Sequence, residues 1–529
     1  MPSVSWHRSL RKGALMRARH LLITAIVAAT FGAAASSAAA WSGGGGGSPA
    51  RVNIVVSPGK TPPKPSGNTY YYKTIQEAVN EATSGDWVLI EPGTYHEKPV
   101  HYENPKRLAG VEVTSAQSGI WIRGMDRNKV IVDGQKEAGN GIEIYKANNV
   151  WVENLTVKNY DQSEECGDEA CGNDIWWNGG SESGKIGAEG WYGSYLTAYD
   201  TGLLGGYGIF TNNEINGSWN NIYASGFNDS GMYLGACQNC KARISNATME
   251  NNALGYSGSN AGGSLVIEKS NFINNSAGIV PNSENPGDGP PPQDGECGRE
   301  NVEHPSPTPE IKSTKIPRCT IIRYNVIANN NNLSAPAVGR GPEGIWGTGL
   351  VLPGDYADLV EQNVIYGNVN NGIVGLEYPN PFPPGPETIF FQLAGNKISG
   401  NLLLHNGYNP TYKGNQFAGD VTLTGGYSQL FGSPEPSQSV NNCVSSNWLF
   451  DATFPKNIEG TWGCQNNTTP IPGYGGIGSE GLPESVEYLL QLKGESEARH
   501  SVGQPAPPPQ QTMPNPCEGV PANPLCPKA

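Results

Sequence analysis

Three acidic residues sit close to turn glycines or serines: Asp200, Asp229 and Asp294. A carboxylate placed on a turn can move a proton or hold a hydroxyl group, and at most one of the three is expected to be catalytic. Asp229-Ser230-Gly231 reads equally well as turn chemistry. Lys241 and Arg243 alternate along a strand-like run and could face such a site as a proton acceptor or a neutralising charge, the alternative being a solvated strand edge. Residues 161–195 gather Asp161, Glu164, Glu165, Asp168, Glu169, Asp174, Glu182 and Glu189 against one lysine, Lys185. Hard cations need several oxygen ligands together. Glu165, Asp168 and Glu169 are therefore the expected ligands if this loop holds Ca2+; a solvated acidic loop is the alternative. No histidine cluster is visible.

A fixed repeat must position these residues. Gly208-Ile-Phe-Thr, Gly231-Met-Tyr-Leu, Gly255-Tyr-Ser-Gly and Gly278-Ile-Val-Pro follow one another at steps of 23, 24 and 23 residues, and Gly349 to Gly372 repeats the step of 23. Each β-prone run leads to an Asn-rich corner: Asn251-Asn252, Asn274-Asn275, Asn329-Asn330, Asn370-Asn371. Asn and Gly tolerate left-handed backbone, so each corner can turn a strand sharply. Short strands and turns repeating at this period imply a stacked parallel β-helix. Its core is expected to be inward Ile, Val and Leu, with Asn amides laddering between corners. Thr74 and Glu77 form a capping box ahead of Ile75, Ala78, Val79 and Ala82, a short helix suited to covering the open first rung.

Strand alternation gives a frame for the outward side chains. With Met232 and Leu234 inward, the frame sends Trp121, Glu143, Phe210, Tyr233, Ser257, Val280, Val351 and Val374 outward in one file. Trp121, Phe210 and Tyr233 are the expected carbohydrate-binding residues if those rings stack on sugars; a structural ladder of rings is the alternative.

The first forty residues carry a basic start, an apolar run Leu21 to Phe31 and Ala38-Ala39-Ala40, which predicts a secretory signal peptide cleaved near Ala40. The mature chain is then expected to be secreted, with no transmembrane anchor. Cleavage removes five basic and no acidic residues, taking the net charge from −14 to −19, which disfavours nucleic acid. Ten cysteines in an exported chain point to disulfides. Sequence neighbours suggest Cys166–Cys171, Cys237–Cys240, Cys297–Cys319, Cys443–Cys464 and Cys517–Cys526. Cys237-Gln-Asn-Cys240 lies in a repeat corner and reads as a turn staple rather than a metal or redox site. Residues 41–72 read as linker and lead-in, and 73–464 as the solenoid with insertions at 161–195 and 282–318. The Pro- and Gly-rich 465–529 reads as a largely disordered tail in which only Glu484 to Lys493 looks helical.

The run Thr74-Ile-Gln-Glu-Ala-Val-Asn-Glu-Ala, followed by Gly85-Asp-Trp-Val-Leu-Ile-Glu-Pro-Gly-Thr-Tyr-His-Glu97, resembles the opening of right-handed parallel β-helix proteins. Pectin methylesterases, pectate-lyase-like and alginate-epimerase-like proteins share it. Asp229-Ser-Gly-Met-Tyr-Leu-Gly235 is similar to secreted bacterial β-helix repeat proteins, and the resemblance spans about residues 74–450. It implies a right-handed parallel β-helix of the pectin-lyase fold, monomeric, with an extracellular polysaccharide as partner. The Asp-Pro-His-Asp run of the epimerases is absent, as are the Gln-Ala-Val-Ala-Leu-Arg and Asp-Phe-Ile-Phe-Gly runs of the methylesterases. Two functions remain: a protein that binds or acts on polysaccharide, lyase- or epimerase-like if an enzyme, and a non-catalytic structural or surface protein.

Overall fold

The computed structural model describes residues 50–101, 107–164, 166, 171–182, 185–283, 318–336, 346–380, 388–410, 417–424, 442–464 and 500–527. Left-handed residues recur at matching places in successive repeats and set the cross-section. Asn154, Asn221 and Asn246 take φ of 56°, 55° and 53° at one bend, and Asn251, Asn274 and Asn329 take 60°, 55° and 52° at the next. A short polar side chain tolerates this region, so each rung breaks into three strands. A first arm runs from Val52–Val55 and Trp87–Ile90 through Arg243–Ser245 to Cys443–Ser445. A second arm runs from Gly93–Tyr95 through Thr248–Glu250 to Trp448–Leu449. Val150–Asp161 and Trp191–Tyr199 each serve both arms, bending at Asn154 and Tyr195. Together the arms make a 22-stranded sheet, while a 12-stranded sheet from Val100–His101 to Thr453–Phe454 forms the third face. Among the described strands only Val100–His101 with Leu108–Val113, and Tyr378–Asn380 with Ile389–Phe391, pair antiparallel.

Apolar side chains fill the interior rung by rung. On the second arm Val132, Val157, Ala198, Ala224, Met249, Phe272, Ile327, Ile365 and Leu403 stand in register, all buried. Trp177, Trp191 and Trp219 thicken the middle of the core. Gly193 leaves room for them, since a Cβ there would lie 2.8 Å from Trp219. The helix Ile75–Asn80 has its capping box and buries Ile75, Ala78 and Val79 in the same core.

Asparagine ladders line the corners. Asn275, Asn330, Asn368 and Asn406 each accept at Oδ1 from the backbone N–H and the amide of the preceding member, at 3.0–3.3 Å, beginning from Asn252. A second ladder runs Asn325, Asn363, Asn401, Asn447 and ends on Glu459, at the start of the helix Ile458–Trp462. Interior polar backbone groups thereby find partners without water.

Three boundaries differ from the sequence reading. The stack begins at Val52, because Val52–Val55 pairs with both Thr69–Tyr72 and Trp87–Ile90. Part of 161–195 is solenoid: Asn173–Asn178 is a strand of the third face and Trp191–Tyr199 belongs to both arms. Large rings inside the core disguised these rungs as an irregular loop. The expected disordered tail does not hold for residues 500–527. Val502 N–H donates to Ser334 O at 3.1 Å, Gln510 and Asn128 exchange hydrogen bonds, and Arg123 donates to Pro516 O and Glu518 O. Val520 and Cys526 are buried with Val52, Ile54, Trp87 and Leu89. This strap carries few apolar residues, so its composition hid hydrogen bonds made mostly by its backbone. Disulfides join Cys166–Cys171, Cys237–Cys240, Cys443–Cys464 and Cys517–Cys526; Cys297 and the insertion 284–317 lie outside the described residues.

Candidate functional site

Where the second arm turns into the third face, Asp161, Asp174 and Asp200 come together. Asp161 ends one strand and Asp200 follows the strand stacked on it, Lys158 being in register with Tyr199. Asp200 accepts from Gly202 N–H at 2.9 Å and Gly205 N–H at 2.8 Å, a turn closed by its own carboxylate. Gly205 must lack a side chain, since a Cβ would lie 2.7 Å from that of Asp200. Asp174 occupies the position that Gly141, Gly208 and Gly231 hold on neighbouring rungs. Its carboxylate is fully enclosed; the backbone N–H groups of Tyr160 and Tyr199 lie near it and pull against the burial, but fall short of full hydrogen-bonding geometry.

All three carboxyls are shifted upward, each by its own surroundings. Burial first, and then the charge of Asp200, pushes Asp161 up to about 7, against the pull of Lys136. Burial also raises Asp200, though the N–H groups of Gly202 and Gly205 and the charge of Lys136 oppose it. Asp174 lies well above the usual carboxylate range because burial dominates, and the charge of Asp200 adds to it. Lys136 is exposed on a left-handed turn, φ 66°. A carboxyl near neutrality beside a second carboxylate and an ammonium can exchange a proton with a hydroxyl or hold it. Lys136 was not singled out from sequence, and Asp161 and Asp174 were named only among the acids of residues 161–195. The signal was present for Asp174, which with Asp420 is one of two acids standing where neighbouring rungs carry glycine.

Asp229 lies beside this turn. Its N–H donates to Gly206 O at 3.2 Å, and its carboxylate accepts from Tyr207 Oη at 3.1 Å and Ser230 Oγ at 3.2 Å. Two sequence candidates, Asp200 and Asp229, thus border one loop. Lys241 and Arg243 do not join them: Lys241 sits at a corner before the first arm, and Arg243 pairs on that arm with Glu268, which also binds Arg323 at 2.9 Å. Arg243 thus serves an ion-pair network with Glu268 and Arg323, and Lys241 is exposed.

The aromatic file is corrected in two ways. Trp121 belongs to the first arm, where Trp87, Trp121, Trp151 and Tyr192 stack at 4.8, 4.4 and 4.7 Å. Phe210 and Tyr233 do share a file on the third face with Glu112, Glu143 and Trp176. They lie outside the main core but are only 3% and 7% exposed, clustered with Trp176 and Tyr207. Stacked rings spend their faces on one another, and buried rings have none to offer, so neither set forms the open ribbon that sugar stacking requires. Further along the same file, Arg107 bridges Glu112 and Glu143 at 2.8 Å each and is itself buried. Glu165, Asp168 and Glu169 lie outside the described residues, among which no group of three or more His, Cys, Asp or Glu is placed to hold a metal.

A stack of parallel three-strand rungs with laddered corners is a right-handed parallel β-helix. Solved structures with the same architecture include the A-module of mannuronan C-5 epimerase AlgE4 of Azotobacter vinelandii, 10% identical, TM-score 0.40, covering 70% of this chain and 89% of that one. The AlgE6 A-module of the same organism is 12% identical, TM-score 0.41, covering 72% and 90%. Pectate lyase Pel9A is 13% identical, TM-score 0.32, covering 75% and 80%. No protein-family model and no curated protein matches the chain.

Proposed function

We propose that this β-helix binds an extracellular polysaccharide and engages it at the corner of Lys136, Asp161 and Asp200. The observation that carries the reading is the juxtaposition itself: buried carboxyls, all held above the usual carboxylate range, beside the exposed ammonium of Lys136 at the end of one arm. Sugar hydroxyls are donors and acceptors at once, and such a pair offers both. Two of the solved proteins it resembles, an epimerase and a pectate lyase, fit a polysaccharide partner. The test is electrophoresis in native gels cast with alginate, pectin or a neutral β-glucan. One of these is expected to retard the wild type, and Lys136→Ala/Asp161→Asn to migrate freely with a melting temperature no lower than the wild type's. Equal retardation of both proteins would move the site elsewhere; free migration of the wild type in all gels would remove the reading. The structural alternative is favoured by the ring stacks and Asn ladders, which consume on the fold itself groups that a binding cleft would leave open.

A further inference from the structure

A third ladder stands at the corner where the third face turns into the first arm, and one of its members is an acid. Register on the first arm places Thr320, Asp358, Asn396 and Asn442 at one position of successive rungs. Asn396 behaves as the members of the other ladders do. Its N–H and Nδ2 both donate to Asn442 Oδ1, at 3.1 and 2.9 Å, and Nδ2 also donates to Asp355 O at 2.8 Å. Asp358 keeps two of the ladder's bonds: its N–H donates to Asn396 Oδ1 at 2.8 Å, and its Oδ1 accepts from Thr320 N–H at 2.9 Å. Those two bonds set the carboxyl in the ladder's orientation. Oδ2 then takes the place from which the laddered amides donate to the next Oδ1, and an ionised carboxylate has nothing to donate.

The surroundings favour a proton there. Asp358 is buried, and among the described residues no donor reaches its Oδ2 in full hydrogen-bonding geometry. Asp355, on the same corner, is buried with an Oδ2 in the same condition, and the two charges oppose each other. Arg318, on the preceding rung, donates to Gly395 O at 3.1 Å and to Asp358 O at 3.5 Å, so its charge lies near the acid. Tyr256 of the third face is buried close enough for both acids to raise its hydroxyl further. Glu377 is buried one rung on, at the position of Gly354. Burial raises both carboxyls; at Asp358 the N–H and hydroxyl of Thr320 and the charge of Arg318 oppose it without cancelling it.

We infer that Asp358 is a protonated rung of this ladder, its Oδ2 hydroxyl donating to Asn396 Oδ1, and that loss of this proton loosens the corner: a pH-sensitive latch built into the solenoid. Its folded-state value is raised, so its contribution is complete below the unfolded carboxyl range, about pH 4. The contribution is lost as pH rises through the folded value. Melting of the full chain near pH 4 and near pH 8 tests this with two variants. Asp358→Asn supplies the donor without the proton. It is expected to melt with the wild type at the acid value and several degrees above it at the alkaline one. Asp358→Ala removes the acceptor for Thr320 N–H as well and should melt below the wild type even in acid. Infrared difference spectra near pH 6 should show one protonated carboxyl in the wild type that Asp358→Asn lacks. If Asp358→Asn instead removes an ionised carboxylate, or shifts melting equally at both pH values, the proposal is overturned. An alanine variant as stable as the wild type in acid would overturn it too.

Discussion

Asn363 carries more of the fold than its size suggests. Its Oδ1 accepts from Asn325 N–H and Nδ2, and its own Nδ2 donates to Ile322 O and Asn401 Oδ1. Alanine there leaves several buried groups unpaired at about 1–3 kcal/mol each. Asn363→Ala is expected to cost about 3 kcal/mol or more in chemical denaturation; a loss under about 1 kcal/mol would mean that water replaces the ladder. The acids act through pH. Asp161, Asp174 and Asp200 all have raised folded-state values. Below about pH 4 the carboxyls are protonated whether the chain is folded or not. As pH rises, the unfolded chain ionises first, so the stability from Asp161 is lost between about 4 and 7, and Asp174 and Asp200 act in the same direction. Melting temperature is expected to fall across that window, with a smaller slope in Asp161→Asn. A parallel slope in the variant would show that Asp161 titrates normally. The sequence showed Asp200 and Asp229 as candidates because both sit near turn glycines. It hid Asp161 and Asp174 because they lie apart in the chain and meet only through stacking.

At the scale of elements, the glycine at the second position of most strands of the third face is required by close approach of the next rung. A Cβ on Gly278 would lie 2.2 Å from Gly349 O, a backbone atom that cannot swing away. Gly278→Ala is expected to cost about 1–3 kcal/mol, read as a lowered midpoint in denaturant with the fold retained. An unchanged midpoint would mean that the rungs can separate locally. The period of 23 or 24 residues made these strands legible in the sequence because each glycine starts an identical unit. The same alternation sent Phe210 and Tyr233 outward correctly and yet misjudged their surroundings. Outward from a strand is not open to solvent when other segments cover the face. Trp121 shows the complementary limit: a hydrophobic alternation fixes which side of a strand a ring takes, but not which of three faces that strand joins.

The whole molecule is a stack whose far end returns to its beginning. Residues 500–527 pass from Ser334 by way of Asn128 and Arg123 to Trp87, tying late rungs to the first ones. In an unstrapped solenoid each rung holds only its neighbours, so ends fray independently. Truncation after residue 499 is expected to lower the melting temperature by several degrees and to broaden the transition; no change would show that the strap is incidental. The repeats foretold the stack, but not the strap, whose Pro- and Gln-rich composition matches that of chains with no fixed structure.

The central functional claim is that a glycan meets the protein at the Asp161 corner, where a carboxyl titrates near neutrality. Calorimetric titration at pH 7 with oligosaccharides from the retained polymer, repeated in buffers of different ionisation enthalpy, counts the protons exchanged on binding. The account predicts a fractional proton taken up or released by the wild type and none by Asp161→Asn. The same proton count in both proteins would contradict it.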